Sequence, residues 1–413
     1  MILRQILDVK NPPAPLFFSE KLCYTEKWKI PSHIHYLRKE AIPMKKILAL
    51  ILALSLLVLC GCGSAPVETE PSTEPSAATT EPTTEATTEP TTDPTTEATE
   101  PSPQYRHPLT GRLMEEPLKT RLLTAAIGNT KDAMPTRGLS QADIVFEMYV
   151  NGLTTRLLGM FSNPTDVYAI GSIRSQRLHF TDISHSYDTI AISAGGSGYV
   201  MGDVKRSGID YMNVDTSGST SYAFRDQDRR SQGYSREHTL FALGGGLYDY
   251  AVDNGFRTEF NQEKDYGMRW AEDKALTEGQ SASTVTLTFR LSSSHKDSVF
   301  TFNPDTGLYG FTQYGMEMVD GSGGTPLSFR NIFIIMAKTW TETASGNHYH
   351  VSELVGSGEG YFACDGYMIP VQWHRATEDD VFTFTLTDGT PLEQGVGTSY
   401  IAIAPLKSEV TAE

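Results

Sequence analysis

From Gly63 to Gln104 the chain runs "GSAPVETEPSTEPSAATTEPTTEATTEPTTDPTTEATEPSPQ", Thr, Glu and Pro in near-repeats of TTEP without one Lys, Arg or aromatic residue. Such a stretch cannot bury enough apolar surface to offset the entropy of ordering it. No compact fold can therefore run through it, and any core must come from the roughly 300 residues that follow, enough for two domains. Proline and like-charge repulsion keep the segment extended. Its roughly 40 residues reach between about 40 Å as a flexible coil and about 120 Å when drawn out. It reads as a spacer, with a composition also typical of O-glycosylated stalks.

What precedes the spacer says what it is attached to. Met44-Lys45-Lys46 is a short basic start, and the apolar run Ile47 to Leu59 is too short to span a bilayer as a stable helix. Residues 44–61 therefore read as a signal peptide. Leu59-Cys60-Gly61-Cys62 has the order of a lipoprotein cut site: a large aliphatic residue, a tolerant position, a small residue, then cysteine. Modification at Cys60 would set bulky Leu59 beside the cut, so Cys62 is the expected lipid site and begins a segment, 62–104, of lipidated cysteine and linker. Gly63-Ser64 suits retention at the surface. Residues 1–43 then read as a mis-assigned upstream start, the alternative being a cytosolic tail before an uncleaved anchor. The expected location is the extracytoplasmic face of the membrane, held there by lipid on Cys62. After cleavage only Cys62 and Cys364 remain, which excludes a disulfide framework. A formal charge of −16 argues against nucleic acid as a partner.

Residues 105–260 mix strand and helix patterns. "RLLTAAI", "ADIVFEMYV" and "TTRLLGMFS" read as strands, the last two joined through the hairpin signal Asn151-Gly152. "GSIRSQRLHFTDISHSY" has apolar spacing that predicts a helix over 171–187, "DTIAISAGGSG" a strand ending in a glycine-rich turn, and "GGLYDYAVDNG" a helix stopped by Gly255. This is an α+β domain. Residues 261–280 form a charged connector with Trp270 as a docking residue. Residues 281–413 read as a second, smaller, mostly β domain, with turn signals at Asp305-Thr306-Gly307, Asp365-Gly366 and Asp388-Gly389.

The runs "GLSQADIVFEMYVNGLTTRLLGMFSN", "IGSIRSQRLHF", "DTIAISAGGS" and "FRDQDRRSQGYSREHTLF" resemble the first domain of the YerB-like lipoproteins of Gram-positive bacteria. "RNIFIIMAKTW", "LVGSGEGYFACDGYMIPVQW" and "GTSYIAIAP" are similar to the second domain, so the resemblance covers nearly all of residues 108–405. It implies a Gram-positive surface lipoprotein whose first domain is a layered β-β-α sandwich, two stacked sheets covered by helices, and it implies no settled activity. Three positions depart from the family pattern. Ile127-Gly128-Asn129 stands where Ile-Asp-Asn is common, Glu317-Met318-Val319-Asp320 where Pro-His-x-Asp is, and Glu237-His238-Thr239 where Pro-His-Asn is. The first two remove an acid and a histidine.

The leading polar constellation is Arg174 and Arg177 with Arg156, Arg225, Arg229 and His238, beside the turn Ser193-Ala194-Gly195-Gly196-Ser197-Gly198. Arg174 and Arg177, three apart at the predicted helix start, would share a face, and the glycine turn ahead of a helix offers free N–H groups. Together they could hold a phosphate or carboxylate, because guanidinium forks match those oxygens. The competing expectation pairs the arginines with Asp143, Glu147, Asp182 and Asp226 as interior ion pairs. A serine hydrolase would use Ser193 or Ser197 with His238, but Gly195-Gly196-Ser197-Gly198-Tyr199 lacks the second glycine of a nucleophile elbow. His348, His350 and Glu353 read as a solvated hairpin face rather than a metal site, Gly356 to Gly360 as a turn, and Cys364 as a lone thiol without an activating partner. No cofactor or metal is expected. The function these features favour is a non-enzymatic binding module for a cell-wall component or wall-synthesis protein. The alternative is a hydrolase or transferase acting on an anionic envelope polymer through the arginine cluster and His238.

Overall fold

Unbroken burial marks the first strands. Every residue of Leu123–Gly128 (β1) is buried, as is every residue but the last of Ile144–Asn151 (β2) and every residue but the first of Thr154–Phe161 (β3). Strands that read as continuous apolar runs are covered on both faces. These belong to a computed structural model that describes residues 105–152, 154–291 and 295–413; the expected signal peptide, lipidated Cys62 and spacer lie outside the described residues. β2 and β3 pair antiparallel across Asn151-Gly152, where Gly152 takes the left-handed φ of +57° that the turn requires.

Next come Leu178–Ser186 (α1), Ile190–Ser193 (β4), Gly198–Ser207 (α2), Tyr211–Asn213 (β5), Gln227–Ser231 (α3) and Gly244–Asp253 (α4). α4 closes as expected at Gly255, at φ +73°. The later region supplies Thr284–Arg290 (β6), His295–Asn303 (β7), Leu308–Gln313 (β8), Asn331–Ala337 (β9), Thr339–Ala344 (β10), Asn347–Ser352 (β11), Gly356–Cys364 (β12), Tyr367–Arg375 (β13), Ser399–Pro405 (β14) and Glu409–Ala412 (β15). The chain is mostly β, in several sheets, with a minority of helix.

One of the expected turns is a strand. Gly356 to Gly360 lies within β12 and pairs residue by residue with β13. Glycine serves close approach there: a Cβ on Gly358 would sit 2.7 Å from Nε1 of Trp373.

The largest sheet has 11 strands, and its main path runs from Gln280–Ser281 through β13, β12, β9, β14, β2, β3, β1 and β4 to β5. β14 lies parallel between β9 and β2, so strands from before residue 260 and after residue 281 share one sheet. A separate six-stranded sheet contains β8, β7, β6 and β15. One face of the large sheet, with Val145, Tyr149, Ile332, Tyr400 and Ala402, packs on Leu287, Phe300 and Phe311 of the smaller sheet. Phe300 and Phe311 stack at 5.2 Å, and each ring meets Tyr400 at 4.9 Å. The opposite face, with Phe146, Phe333 and Ile401, is covered by Phe180, Ile183 and Tyr187 of α1 and by Tyr266 and Met268. Trp270 packs against that core and lies so close to Gly111 that a Cβ there would fall 2.3 Å from the indole.

A polar knot ties the two sheets. Glu147 on β2 is wholly buried and ion-paired to Lys296 on β7. Its Oε1 also accepts from Asn129 at 2.9 Å, Thr155 at 2.6 Å and Gln313 at 2.9 Å, and its Oε2 from Ser298 at 2.7 Å and Tyr400 at 2.5 Å. Burial pushes its carboxyl up, but Lys296 and these hydrogen bonds outweigh burial and hold it below the usual carboxylate range.

Candidate functional site

β1, β4 and β5 run parallel, so Gly128, Ser193 and Asn213 end the strands on the same side of the sheet. In open sheets of this kind the crevice outside the carboxyl ends is where ligands settle. The segment Ser172 to Arg177 is threaded across those ends. Gly128 donates its N–H to the Ser172 carbonyl at 2.9 Å and Arg174 to Ala126 at 2.8 Å; Ala194 donates to Arg174 at 3.0 Å and Gln176 to Gly195 at 2.8 Å. This overturns the predicted helix over 171–187 in its first turns. Helix α1 starts only at Leu178, and Arg177 before it is extended, at φ −136° and ψ 159°. A backbone that bonds β1 and β4 on either side has no N–H groups left for a helical ladder. Arg174 and Arg177 therefore stand on an extended bridge, not on a helix face.

Three guanidinium groups gather here. Arg156, on β3 and 5 % exposed, donates to the Ser175 carbonyl. Arg177 donates to the carbonyls of Ser175 at 3.4 Å and Gln176 at 2.8 Å, and its Nε is buried without a partner. Arg174 alone has a carboxylate, Glu237 at 2.8 Å, and it also meets Nδ1 of His238 at 3.3 Å. Burial, then the charges of Arg177 and Arg174, push the Arg156 guanidinium well below its ordinary range. Burial and Arg174 also lower Arg177, against an opposing contribution from Tyr349. Arginine does not give up its proton in proteins, so these shifts register the cost of burying guanidinium groups close together, which Glu237 offsets only in part at Arg156.

Beside them the turn after β4 is held open. Gly195 takes φ +61°, Ser193 Oγ hydrogen-bonds Tyr211 Oη at 2.9 Å, and Ser197 caps α2 by accepting from the Val200 N–H at 3.3 Å. Gln176, 1 % exposed, keeps a buried Oε1 without a partner.

The other expected members lie elsewhere. Arg225 pairs with Asp215 and donates to the carbonyls of Thr216 and Arg236. Arg229 donates to the carbonyls of Ala133, Pro135 and His238 and lies over the rings of Tyr234 and Phe241. Both are scaffold. His238 stays near Arg174 and Glu237, its imidazole lowered by burial and then by the charge of Arg174. Neither Ser193 nor Ser197 is hydrogen-bonded to it.

The acids expected to neutralise the arginines are engaged by other groups. Asp143 accepts from the Ser162 N–H at 2.7 Å, Glu147 holds Lys296, Asp182 holds Arg375 at 2.7 Å, and Asp226 holds Arg137 at 2.7 Å. For Arg156 and Arg177 the ion-pair expectation fails on geometry, whereas Arg174 is ion-paired, though to Glu237 and to none of the four expected acids. Sequence reasoning did not single out Gln176 or Ser175 as site groups. The only signal available was their position between the two arginines.

Two family models match the chain, "Protein of unknown function (DUF3048) N-terminal domain" over residues 109–257 and its C-terminal counterpart over residues 285–401. The chain belongs to the DUF3048 family. A relative, YerB of Bacillus subtilis (strain 168), whose name carries a lipoprotein assignment by inference, is 25% identical over 315 residues, which is 72% of this chain and 86% of that protein. The crystal structure of the YerB protein from Bacillus subtilis superposes with a TM-score of 0.63 at 22% identity, covering 74% of this chain and 99% of the other. That likeness establishes the shared fold. The two DUF3048 domains meet in the large sheet, where β14 of the second pairs with β2 of the first.

Proposed function

We propose that this protein is a lipoprotein of the Gram-positive cell surface, tethered through Cys62, whose folded part binds an anionic group of a cell-wall component or wall-synthesis protein at Arg156, Arg174 and Arg177. The observation that carries the reading is the pair of interior guanidinium groups, Arg156 and Arg177, whose hydrogen bonds go to main-chain carbonyls and to no carboxylate. A phosphate or carboxylate there would accept charge-assisted bonds from both and from the turn at Gly195-Gly196. The tether is supported by Leu59-Cys60-Gly61-Cys62 and by the name of the YerB relative. The finer description of the first domain, stacked sheets covered by helices, draws support from the two cores on opposite faces of the large sheet. A hydrolase or transferase at this place would need His238 beside a nucleophile. Its neighbours are Arg174 and Glu237, while the hydroxyls of Ser193 and Ser197 are engaged with Tyr211 and the Val200 N–H.

The test is thermal melting of the full-length protein in rising phosphate or sulfate. A ligand that binds only the folded state adds about 2.7 kcal/mol at a hundredfold excess over its Kd. The parent protein should gain stability with the anion. Arg177→Ala should lose that gain yet melt close to the parent in its absence, since it also removes repulsion from Arg174 and Arg156. Anion-independent melting of the parent together with a large loss in Arg177→Ala would make the arginines scaffold. A screen of wall fragments and teichoic acids then identifies the physiological anion.

A further inference from the structure

A polar cavity of about 400 Å³ opens beside Tyr168 and draws its walls from both DUF3048 domains. Tyr168 is 75 % exposed, whereas its neighbours Val167 and Ala169 are wholly buried. Its loop is pinned by the Val167 N–H to Pro164 at 3.0 Å and by the Gly244 N–H to Val167 at 3.2 Å. The ring is thus held outward on a fixed backbone and packs into no core. Phe224, half-buried, offers a second aromatic surface in the same cavity and stacks on Phe241 behind it. The polar wall is equally set. Arg137 lies over the Phe241 ring at 4.5 Å and pairs with Asp226 at 2.7 Å. Opposite them, Gly321 donates its N–H to Thr136 at 2.6 Å and so fixes the turn that carries Ser322.

We propose that this cavity is a saccharide-binding site, separate from the arginine cluster and independent of the anion reading. A pyranose presents an apolar C–H face and a ring of hydroxyls that donate and accept together. The first suits the exposed faces of Tyr168 and Phe224. The second suits Arg137 as donor, Asp226 as acceptor, and Gln227 and Ser322 as both. Charge separates this site from the other one. Arg137 is neutralised by Asp226 and the nearby Arg225 by Asp215, and the exposed Asp228 on the same wall adds a negative charge, so the cavity disfavours an anion and suits a neutral ligand.

The experiment titrates full-length protein, in a detergent without a sugar headgroup, with a soluble N-acetylglucosamine tetramer by calorimetry. Saturable binding is expected. Tyr168→Ala should weaken it by about tenfold or more, and Tyr168→Phe should leave it within about twofold, because the ring face and not the hydroxyl makes the contact. Arg177→Ala should bind the sugar like the parent, whatever happens to its anion response. Melting curves check that the exposed Tyr168 variants fold. No saturable binding of N-acetylglucosamine or glucose oligomers, equal affinity in a folded Tyr168→Ala, or binding of a wall peptide in place of the sugar would each overturn the proposal.

Discussion

Replacing Lys296 by Met isolates what the buried knot around Glu147 contributes. The side chains are of similar length, so packing changes little while the charge is lost, and Glu147 keeps its hydrogen bonds from Asn129, Thr155, Gln313, Ser298 and Tyr400. Breaking a buried pair by removing one partner costs about 3–5 kcal/mol. The carboxyl can limit that cost by taking a proton, at about 1.36 kcal/mol for each pH unit above an unfolded pKa of about 4.3. The ceiling is therefore about 3.7 kcal/mol at pH 7 and about 1 kcal/mol at pH 5. In the parent the folded pKa of Glu147 lies below its unfolded value, so the group stabilises above that value and its contribution is lost as pH falls through the folded pKa. In Lys296→Met the folded pKa lies above the unfolded value, and stability is lost as pH rises between the two. Urea unfolding of parent and variant from pH 5 to pH 7.5 should show their difference growing with pH. Adding Glu147→Gln to Lys296→Met should flatten that growth. A difference under about 1 kcal/mol at pH 7, or one that does not change with pH, would show that Lys296 is not the counter-charge of Glu147 in solution.

Three further outcomes can be checked. A Cβ on Gly128 would lie 3.1 Å from Cγ of Arg174, so Gly128→Asp should place a carboxylate among the arginines and abolish the anion-dependent rise in melting temperature. His179 is held neutral by burial, its pKa lowered to about 4, with Nε2 accepting the Ser352 N–H at 2.7 Å. The protein should therefore lose stability as pH falls from about 6.5 towards about 4, by up to about 1.4 kcal/mol per unit from this group, and His179→Gln should show a shallower loss in pH-dependent melts. Fatty-acid labelling in a Gram-positive host should survive Cys60→Ala and disappear in Cys62→Ala, because small Gly61 precedes Cys62 whereas bulky Leu59 precedes Cys60.

Much of the strand order along the chain was legible because burial leaves a local trace. Alternation marked β6 to β8, continuous apolar runs marked β2, β3, β9 and β14, and Asn151-Gly152 marked the hairpin. The bridge from Ser172 to Arg177 was not legible, because its conformation comes from hydrogen bonds to β1 and β4 and not from its own spacing. The same holds for charge. Asp182, Asp226 and Glu147 were fair partners for the arginines by composition, but Arg375, Arg137 and Lys296 reach them through sheet and loop contacts that no local pattern announces. The glycines of β12 misled for a related reason, since Gly358 answers to the ring of Trp373 on the neighbouring strand.

The position of β14 also sets a timetable. Glu147 and Tyr400, bonded across adjacent strands, are 253 residues apart in the chain. A polypeptide made from its N-terminus exposes the open edge of β2 long before its neighbour exists, and no local contact can substitute for it. Pairing so distant in sequence makes for slow folding. The large sheet closes only when nearly the whole chain is present, so a chain stopped short of Ser399 leaves both DUF3048 domains unfinished, the first as surely as the second.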